Sequence, residues 1–279
     1  MNAADETRPL TALEIIRIDA PDPRATVVLV HGAWHGAWCW QDGFAQRLAT
    51  RGISTVAPSL RGHGGSTDGV RLNRMRMRDY VDDVSEVVTR TIAESGAAPF
   101  VAGHSMGGAV VQGFLSRPHP PRIAGAAMLA SIPPRGLRGV TPRIAKYSPG
   151  AFALSNLTLD LGRLVRTTEQ VRALFFRPST PDCIVEATTA RVQPESFRAF
   201  VLNMLGLERP KPHSTDVPVW VMGATDDAIF TPAMVAATAE AWGATPVMFD
   251  ELGHDVMLDV GWERVADGLA DWVLQSTGP

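Results

Sequence analysis

The seventeen residues PFVAGHSMGGAVVQGFL, Pro99–Leu115, change character at their centre. Pro99–Ala102 reads as a short buried strand, and from Ser105 to Leu115 the apolar residues take helical spacing. Between them stands Gly103-His104-Ser105-Met106-Gly107, a G-x-S-x-G motif. On a sharp strand-to-helix turn such a motif lifts the serine hydroxyl clear of a sheet. The glycines two before and two after the serine carry no Cβ to strike neighbouring elements, and Gly108 adds room for close helix packing. Alone the pentapeptide is weak, arising by chance in about one chain in ten of this size. The strand before it and the helix after it make it informative. The competing reading is a glycine-rich turn with an ordinary N-cap serine.

Outward from this turn, β-rich runs alternate with amphipathic helices, the pattern of a parallel sheet covered on both faces. Leu13–Ile18, Thr26–Val30 and Ile53–Ala57 precede the motif as strands; Ile123–Leu129, Val217–Met222 and Thr245–Phe249 follow it. Helices are expected over Trp38–Thr50, Asp79–Ala93, Pro232–Trp242 and Trp262–Val273. The alternation breaks over Pro133–Asp216, which is rich in Arg, Pro and Phe and holds no convincing strand. We read residues 134–216 as a helical cap (lid) inserted into a core made of residues 1–133 and 217–279. Pro133-Pro134 and Pro210–Pro218 are its expected hinges.

Composition narrows the function. A chain of 279 residues, 45% hydrophobic, can bury one large core. Its net charge of −3, from 26 basic and 29 acidic residues, offers no basic face for nucleic acid. The one basic cluster, Arg71–Arg78, reads as a solvated loop and helix entry. Two cysteines, Cys39 and Cys183, need no pairing in a chain this size and lack metal-ligand spacing. Met1–Leu10 is polar with no apolar signal run, and no stretch reaches the ~18–20 apolar residues of a membrane span. The expectation is a cytoplasmic protein whose partner is a small-molecule substrate, not nucleic acid or membrane, with a homodimer left open.

A serine attacks only when an imidazole removes its proton. In open parallel sheets reacting groups gather at the carboxyl ends of strands. Of seven histidines, His254 lies just beyond the strand Thr245–Phe249 and is the expected base. His104 would point away along the turn, His119 and His213 sit in proline-rich loops, and His63 sits among glycines in a loop read as exposed. The imidazole needs a carboxylate to fix its tautomer. Val217–Met222 runs into Gly223-Ala224-Thr225-Asp226-Asp227, where only one aspartate can face the histidine; the reading favours Asp226. Asp250, Glu251, Asp255 and Asp259 are read as surface groups because none lies on a different strand end from His254. Acyl transfer also needs two N–H groups for the oxyanion, expected from Met106 and Ala33, Gly32 letting the second loop turn inward. His31 and His35 are expected to hold that loop by hydrogen bonds, and Trp34, Trp38 and Trp40 to wall a pocket or fill the core.

With these parts named, the chain resembles the α/β-hydrolase superfamily over nearly its whole length. His31-Gly32-Ala33-Trp34-His35-Gly36-Ala37-Trp38 looks like the oxyanion loop of the branch holding plant methyl-ester esterases and hydroxynitrile lyases. Arg61–Ser66 resembles the loop after the superfamily's fourth strand, with Ser59, Leu60 and Arg61 where an aspartate and proline often stand. Gly223–Pro232 and Gly253–Met257 resemble its acid and histidine turns. The resemblance implies a mostly parallel sheet of about eight strands with helices on both faces, a helical cap insertion and no cofactor. The lyases carry a lysine after the catalytic histidine, where this chain has Asp255; epoxide hydrolases and haloalkane dehalogenases carry an aspartate in place of Ser105. The expected activity is therefore hydrolysis of an ester or thioester of a small-to-medium apolar acid, with Trp34, Phe176, Phe200 and Met204 lining the substrate pocket. Cleavage of a carbon–carbon bond or amide by the same triad is the alternative, and a ligand receptor on a hydrolase scaffold a further one.

Overall fold

The computed structural model describes residues 13–208, 210–213 and 215–277. The opening segment Met1–Leu10 and position 214 of the proline-rich stretch lie outside the described residues. Seven strands form one sheet: β1 Ile15–Ile18, β2 Ala25–Val30, β3 Ile53–Pro58, β4 Phe100–His104, β5 Gly125–Leu129, β6 Val219–Ala224 and β7 Pro246–Phe249. Their order is β1-β3-β2-β4-β5-β6-β7, antiparallel only between β1 and β3. This is the expected mostly parallel sheet, with seven strands among the described residues where about eight were expected, each on one β-rich run of the sequence.

The central strands are apolar throughout because both faces are buried. Along β2, Val27 and Leu29 enter one hydrophobic cluster and Val28 and Val30 the other, the two-residue period of a pleated strand. The first cluster is closed by α1 (Phe44–Thr50) and α10 (Trp262–Ser276), through Phe44, Leu48, Val265 and Leu269. The second is closed by α2 (Met77–Ser95), α3 (Met106–Leu115) and α9 (Pro232–Ala241), through Tyr80, Val84, Val110, Phe114 and Val235. The single helix expected over Trp38–Thr50 is a short 3-10 turn at Ala37–Trp40 followed by α1, because Gly43 takes φ 114° between them.

Between β5 and β6 the described residues form helices and turns only: α4 Thr141–Tyr147, α5 Pro149–Thr158, α6 Thr168–Phe175, α7 Asp182–Thr189 and α8 Phe197–Met204. Thr167 and Ser196 cap α6 and α8, their hydroxyls accepting from Gln170 N–H and Ala199 N–H. Leu161, Leu164, Val171, Leu174 and Phe175 of this insertion share a hydrophobic cluster with Trp34, Met106 and Ile132 of the sheet domain.

From β2 the chain moves outward to β3, then crosses back to β4 on the other side, so a crevice opens at the carboxyl ends of β2 and β4. Val30 pairs with Gly103, which releases the loops beginning at His31 and Ser105 side by side. Ala224 pairs with Phe249, which releases the acid and histidine loops together on the same rim.

Candidate active site

Ser105 sits at φ 53° and ψ −113°, a conformation costly for any residue with a Cβ. The end of β5 holds it there: Ser105 N–H donates to the Leu129 carbonyl (2.9 Å), and Ile132 N–H donates to the Ser105 carbonyl (3.1 Å). The flanking glycines are sterically required. A Cβ on Gly103 would overlap the Gly107 carbonyl, and one on Gly107 would lie 2.5 Å from the His31 carbonyl oxygen.

The His254 Nε2 atom lies 3.0 Å from the Ser105 hydroxyl. Its Nδ1 atom lies 2.9 Å from an oxygen of Asp227. A carboxylate only accepts, so Nδ1 carries the proton and Nε2 turns its lone pair to the serine. The other Asp227 oxygen accepts from Ile229 N–H (2.7 Å) and Phe230 N–H (2.9 Å), which fixes the carboxylate. His254 and Asp227 are 2% and 6% exposed. Phe230 meets the imidazole edge-on at 5.2 Å between ring centroids.

The expectation of Asp226 is corrected. Its side chain is exposed on the outer side of the turn, while its N–H donates to the Leu252 carbonyl at 3.2 Å. That backbone bond ties the turn to the histidine loop and sends the next side chain inward. The available signal was the local bonding of an aspartate to N–H groups two and three residues on, into the apolar pair Ile229-Phe230.

Three other readings change. His63 is fully buried, its Nε2 2.9 Å from Glu195 of the insertion, to which Tyr80 also donates at 2.9 Å. Asp255 is buried against His35 at 3.0 Å. Asp259 is buried, accepting from Gly253 N–H (2.7 Å) and the Thr180 hydroxyl (2.6 Å). The insertion supplies the partner of His63 and of Asp259, and the loop after β2 that of Asp255, so loops that sequence alone leaves open to solvent are covered. Arg143 of α4 was likewise not singled out; its guanidinium donates to the carbonyls of Ala228 (3.0 Å) and Ile229 (3.1 Å) in the acid loop.

The loop after β2 packs directly on the serine, since a Cβ on Gly32 would stand 3.1 Å from the Ser105 Cβ. His31 Nδ1 donates to the Gly32 carbonyl (2.7 Å) while its Nε2 accepts from Leu60 N–H (3.0 Å). The Gly32 carbonyl and the Ala33 N–H belong to one peptide unit, so this bond orients the expected oxyanion donor. Neither Ala33 N–H nor Met106 N–H has a hydrogen-bond acceptor among the described residues.

Four buried histidines divide by sign. Burial, then the neighbouring His63, holds His31 well below the usual histidine value. Burial, then the adjacent His254, pulls His104 down to about 3. Burial also works against charge on His35 and His63, but Asp255 and Glu195 respectively outweigh it and raise both. His104, His254 and Asp255 bring potential metal-ligating atoms within 4.8 Å of one another. Both His254 nitrogens are already engaged by Ser105 and Asp227, and His104 Nε2 donates to the His254 carbonyl (2.9 Å), so this cluster is a hydrogen-bonded one.

Of the expected pocket residues, three come together. Trp34 packs on Phe200 at 5.4 Å and donates its indole N–H to the Leu161 carbonyl (3.1 Å). Phe200 and Met204 line an apolar slot with Ile144, Phe152, Leu161 and Leu164. Phe176 does not join it. It lines a separate open depression of about 750 Å³ with Arg172 and the acid-loop residues Thr225–Ala228. Trp40 is core, packed on Phe44 at 5.1 Å, and Trp38 lies under Arg191 at 4.4 Å.

An open sheet with a serine on a strained turn, a histidine and an aspartate at adjoining strand ends defines the α/β-hydrolase class of fold. The sequence profile of the alpha/beta hydrolase family matches residues 27–268, and the chain belongs to that family. It is 32% identical over 241 residues to methylesterase 7 of Arabidopsis thaliana, covering 85% of this chain and 81% of that protein. It is 28% identical over 181 residues to methyl jasmonate esterase 1 of Vitis vinifera, covering 61% and 67%. Among solved structures it is similar to a thermophilic esterase from Thermogutta terrifontis, with TM-score 0.69 and 20% identity over 95% of this chain and 94% of that one. The monoacylglycerol lipase of Paleococcus ferrophilus matches with TM-score 0.65 and 22% identity over 95% and 99%. Among the described residues no helix is long and apolar enough to cross a membrane.

Proposed function

We propose that this chain is a serine hydrolase that cleaves a carboxylic ester or thioester of a small-to-medium apolar acid through an acyl-enzyme. The observation that carries this reading is the unbroken relay from Ser105 Oγ to His254 (3.0 Å) to Asp227 (2.9 Å) at one rim of the sheet. His254 takes the serine proton as Oγ attacks the carbonyl, and Asp227 holds the imidazolium that forms. The Ala33 and Met106 N–H groups receive the oxyanion, a contribution typically worth ~10²–10³ in turnover per donor. His254 then returns the proton to the leaving alcohol or thiol. Water, deprotonated by the same imidazole, releases the acid.

Residues 134–216 act in this reading as a cap over the site, and the slot bounded by Phe200 and Met204 takes apolar substrate carbons beside Trp34. The names of the relatives, a methylesterase and a methyl jasmonate esterase, support an ester as the scissile group. Turnover of p-nitrophenyl acetate and butyrate, abolished by Ser105→Ala, is the expected result. A fluorophosphonate probe should label Ser105 in the folded protein; absence of labelling would refute the assignment of the nucleophile.

A further inference from the structure

Two loops that meet at the serine start from different strands. One, His31–Trp38, follows β2 and brings Ala33 to Ser105; the other, Gly253–Met257, follows β7 and brings the imidazole. Among the described residues, one hydrogen-bonded pair of side chains joins them. His35 Nδ1 donates to the Ala33 carbonyl at 2.7 Å, and its Nε2 lies 3.0 Å from Asp255 Oδ2. Asp255 directly follows His254 in the chain, and its N–H donates to the Phe175 carbonyl of the insertion at 2.9 Å.

Both side chains are buried, at 1% and 0% exposure, so water does not compete for these bonds. The His35 ring is stacked on Trp38 at 5.1 Å and packed against Phe175 at 5.3 Å, which prevents it from turning to other partners. The second Asp255 oxygen has no hydrogen-bond partner, so His35 is the carboxylate's only side-chain partner among the described residues.

We infer that His35 and Asp255 are positioning residues for the hydrolytic reaction, a buried strut that fixes the oxyanion loop at Ala33 to the loop carrying His254. The inference rests on the hydrolase reading given above. Because the strut ends on the Ala33 carbonyl, it holds the peptide unit next to the one that carries the Ala33 N–H, so Ala33 is fixed from both sides, by His31 before it and His35 after it. Because its other end is covalently next to His254, it sets the distance between that donor and the base. Displacements of about 1 Å in such an arrangement cost up to ~10² in rate.

The charge and the link can be separated. Asp255→Ala cuts the strut; the imidazole then sheds its proton and keeps only the Ala33 bond. Asp255→Asn keeps the strut without charge, since the amide N–H can donate to Nε2 of a neutral ring whose Nδ1–H still serves Ala33.

Steady-state hydrolysis of p-nitrophenyl butyrate, with folding checked by circular dichroism, tests this. Asp255→Ala should lower kcat by about ten- to a hundredfold with KM within about threefold, and Asp255→Asn should recover most of kcat. The double variant His35→Phe with Asp255→Asn, which keeps the aromatic stack and buries no lone charge, should lose kcat like Asp255→Ala and gives the answer should Asp255→Ala not fold. Either cut variant, folded and turning over within about twofold of the parent, overturns the inference, as does an Asp255→Asn loss equal to that of the cut. A parent enzyme with no Ser105-dependent turnover would refute the hydrolase reading itself, a result distinct from any ratio among these variants.

Discussion

Replacing Asp227 by Asn changes one atom at the acid end of the relay, and the surroundings dictate where that atom goes. Asp227 Oδ1 accepts two backbone N–H groups, from Ile229 and Phe230, and an amide nitrogen in that place would meet two donors. The asparagine oxygen therefore stays on the backbone, and its NH₂ faces His254 Nδ1, where Asp227 Oδ2 accepts at 2.9 Å. Nδ1 must then become the acceptor, which puts the ring proton on Nε2, pointing at a Ser105 hydroxyl 3.0 Å away. The imidazole is in the wrong tautomer to remove a proton. A trapped tautomer in a serine triad lowers kcat by ~10⁴, about 5 kcal/mol of lost transition-state stabilisation. Side-chain volume is unchanged, so KM and the thermal midpoint should stay near the parent values. The assay is p-nitrophenyl butyrate hydrolysis beside the rate of fluorophosphonate labelling, both of which should collapse. Asp226→Asn, altering an exposed carboxylate, should stay within about twofold. Loss of activity in Asp226→Asn with full activity in Asp227→Asn would refute the geometry on which this argument rests.

Gly107→Ala pushes a methyl group into the Val30 and His31 carbonyls and should cost about 1–3 kcal/mol or more, lowering the thermal midpoint by roughly 2–10 °C; an unchanged midpoint would contradict the close approach. Phe200→Ala opens the slot beside Trp34, so the ratio of kcat/KM for octanoate over butyrate esters should rise several-fold; an unchanged ratio would remove Phe200 from the substrate's path. Stability should fall on acidification from about pH 6.5. His31 and His104 stay neutral in the fold, His104 down to about 3, whereas the unfolded chain takes up those protons and is favoured. His35 and His63 act oppositely: their raised values contribute stability that is complete below the unfolded value and fades as pH climbs through the folded one. A urea midpoint that increases between pH 6.5 and pH 5 would contradict the assignment of His31 and His104.

The turn at Ser105 was legible because its residues are constrained locally: a strand, two glycines that tolerate no Cβ, and a helix follow one another along the chain. His254 was legible because strand ends converge. Asp226 against Asp227 was not decided by sequence, because adjacent residues share every statistical feature, and a backbone bond from Asp226 to Leu252 chooses which one turns inward. His63, Asp255 and Asp259 were misplaced for a different reason. Each sits in a loop that looks solvated from its own neighbours, and each is covered by residues 79 to 132 positions away or answered by a partner on another loop. Loop burial depends on what folds over it, which periodicity does not encode. The strands followed the β-rich runs one for one, seven among the described residues where about eight were expected.

The insertion reaches the sheet domain with more than packing. Glu195 sits between His63 and Tyr80, and Gln193 bonds both the Gly62 carbonyl (3.0 Å) and Gly64 N–H (2.7 Å). Each side of that junction thus supplies hydrogen-bond partners to polar groups of the other, the buried His63, Tyr80 and Glu195 among them. A grafted insertion lacking a carboxylate at the place of Glu195 would strand the His63 imidazole and the Tyr80 phenol. A functional graft would have to bring partners for both His63 and Tyr80 along with the helices, so the cooperative unit here is larger than the inserted segment.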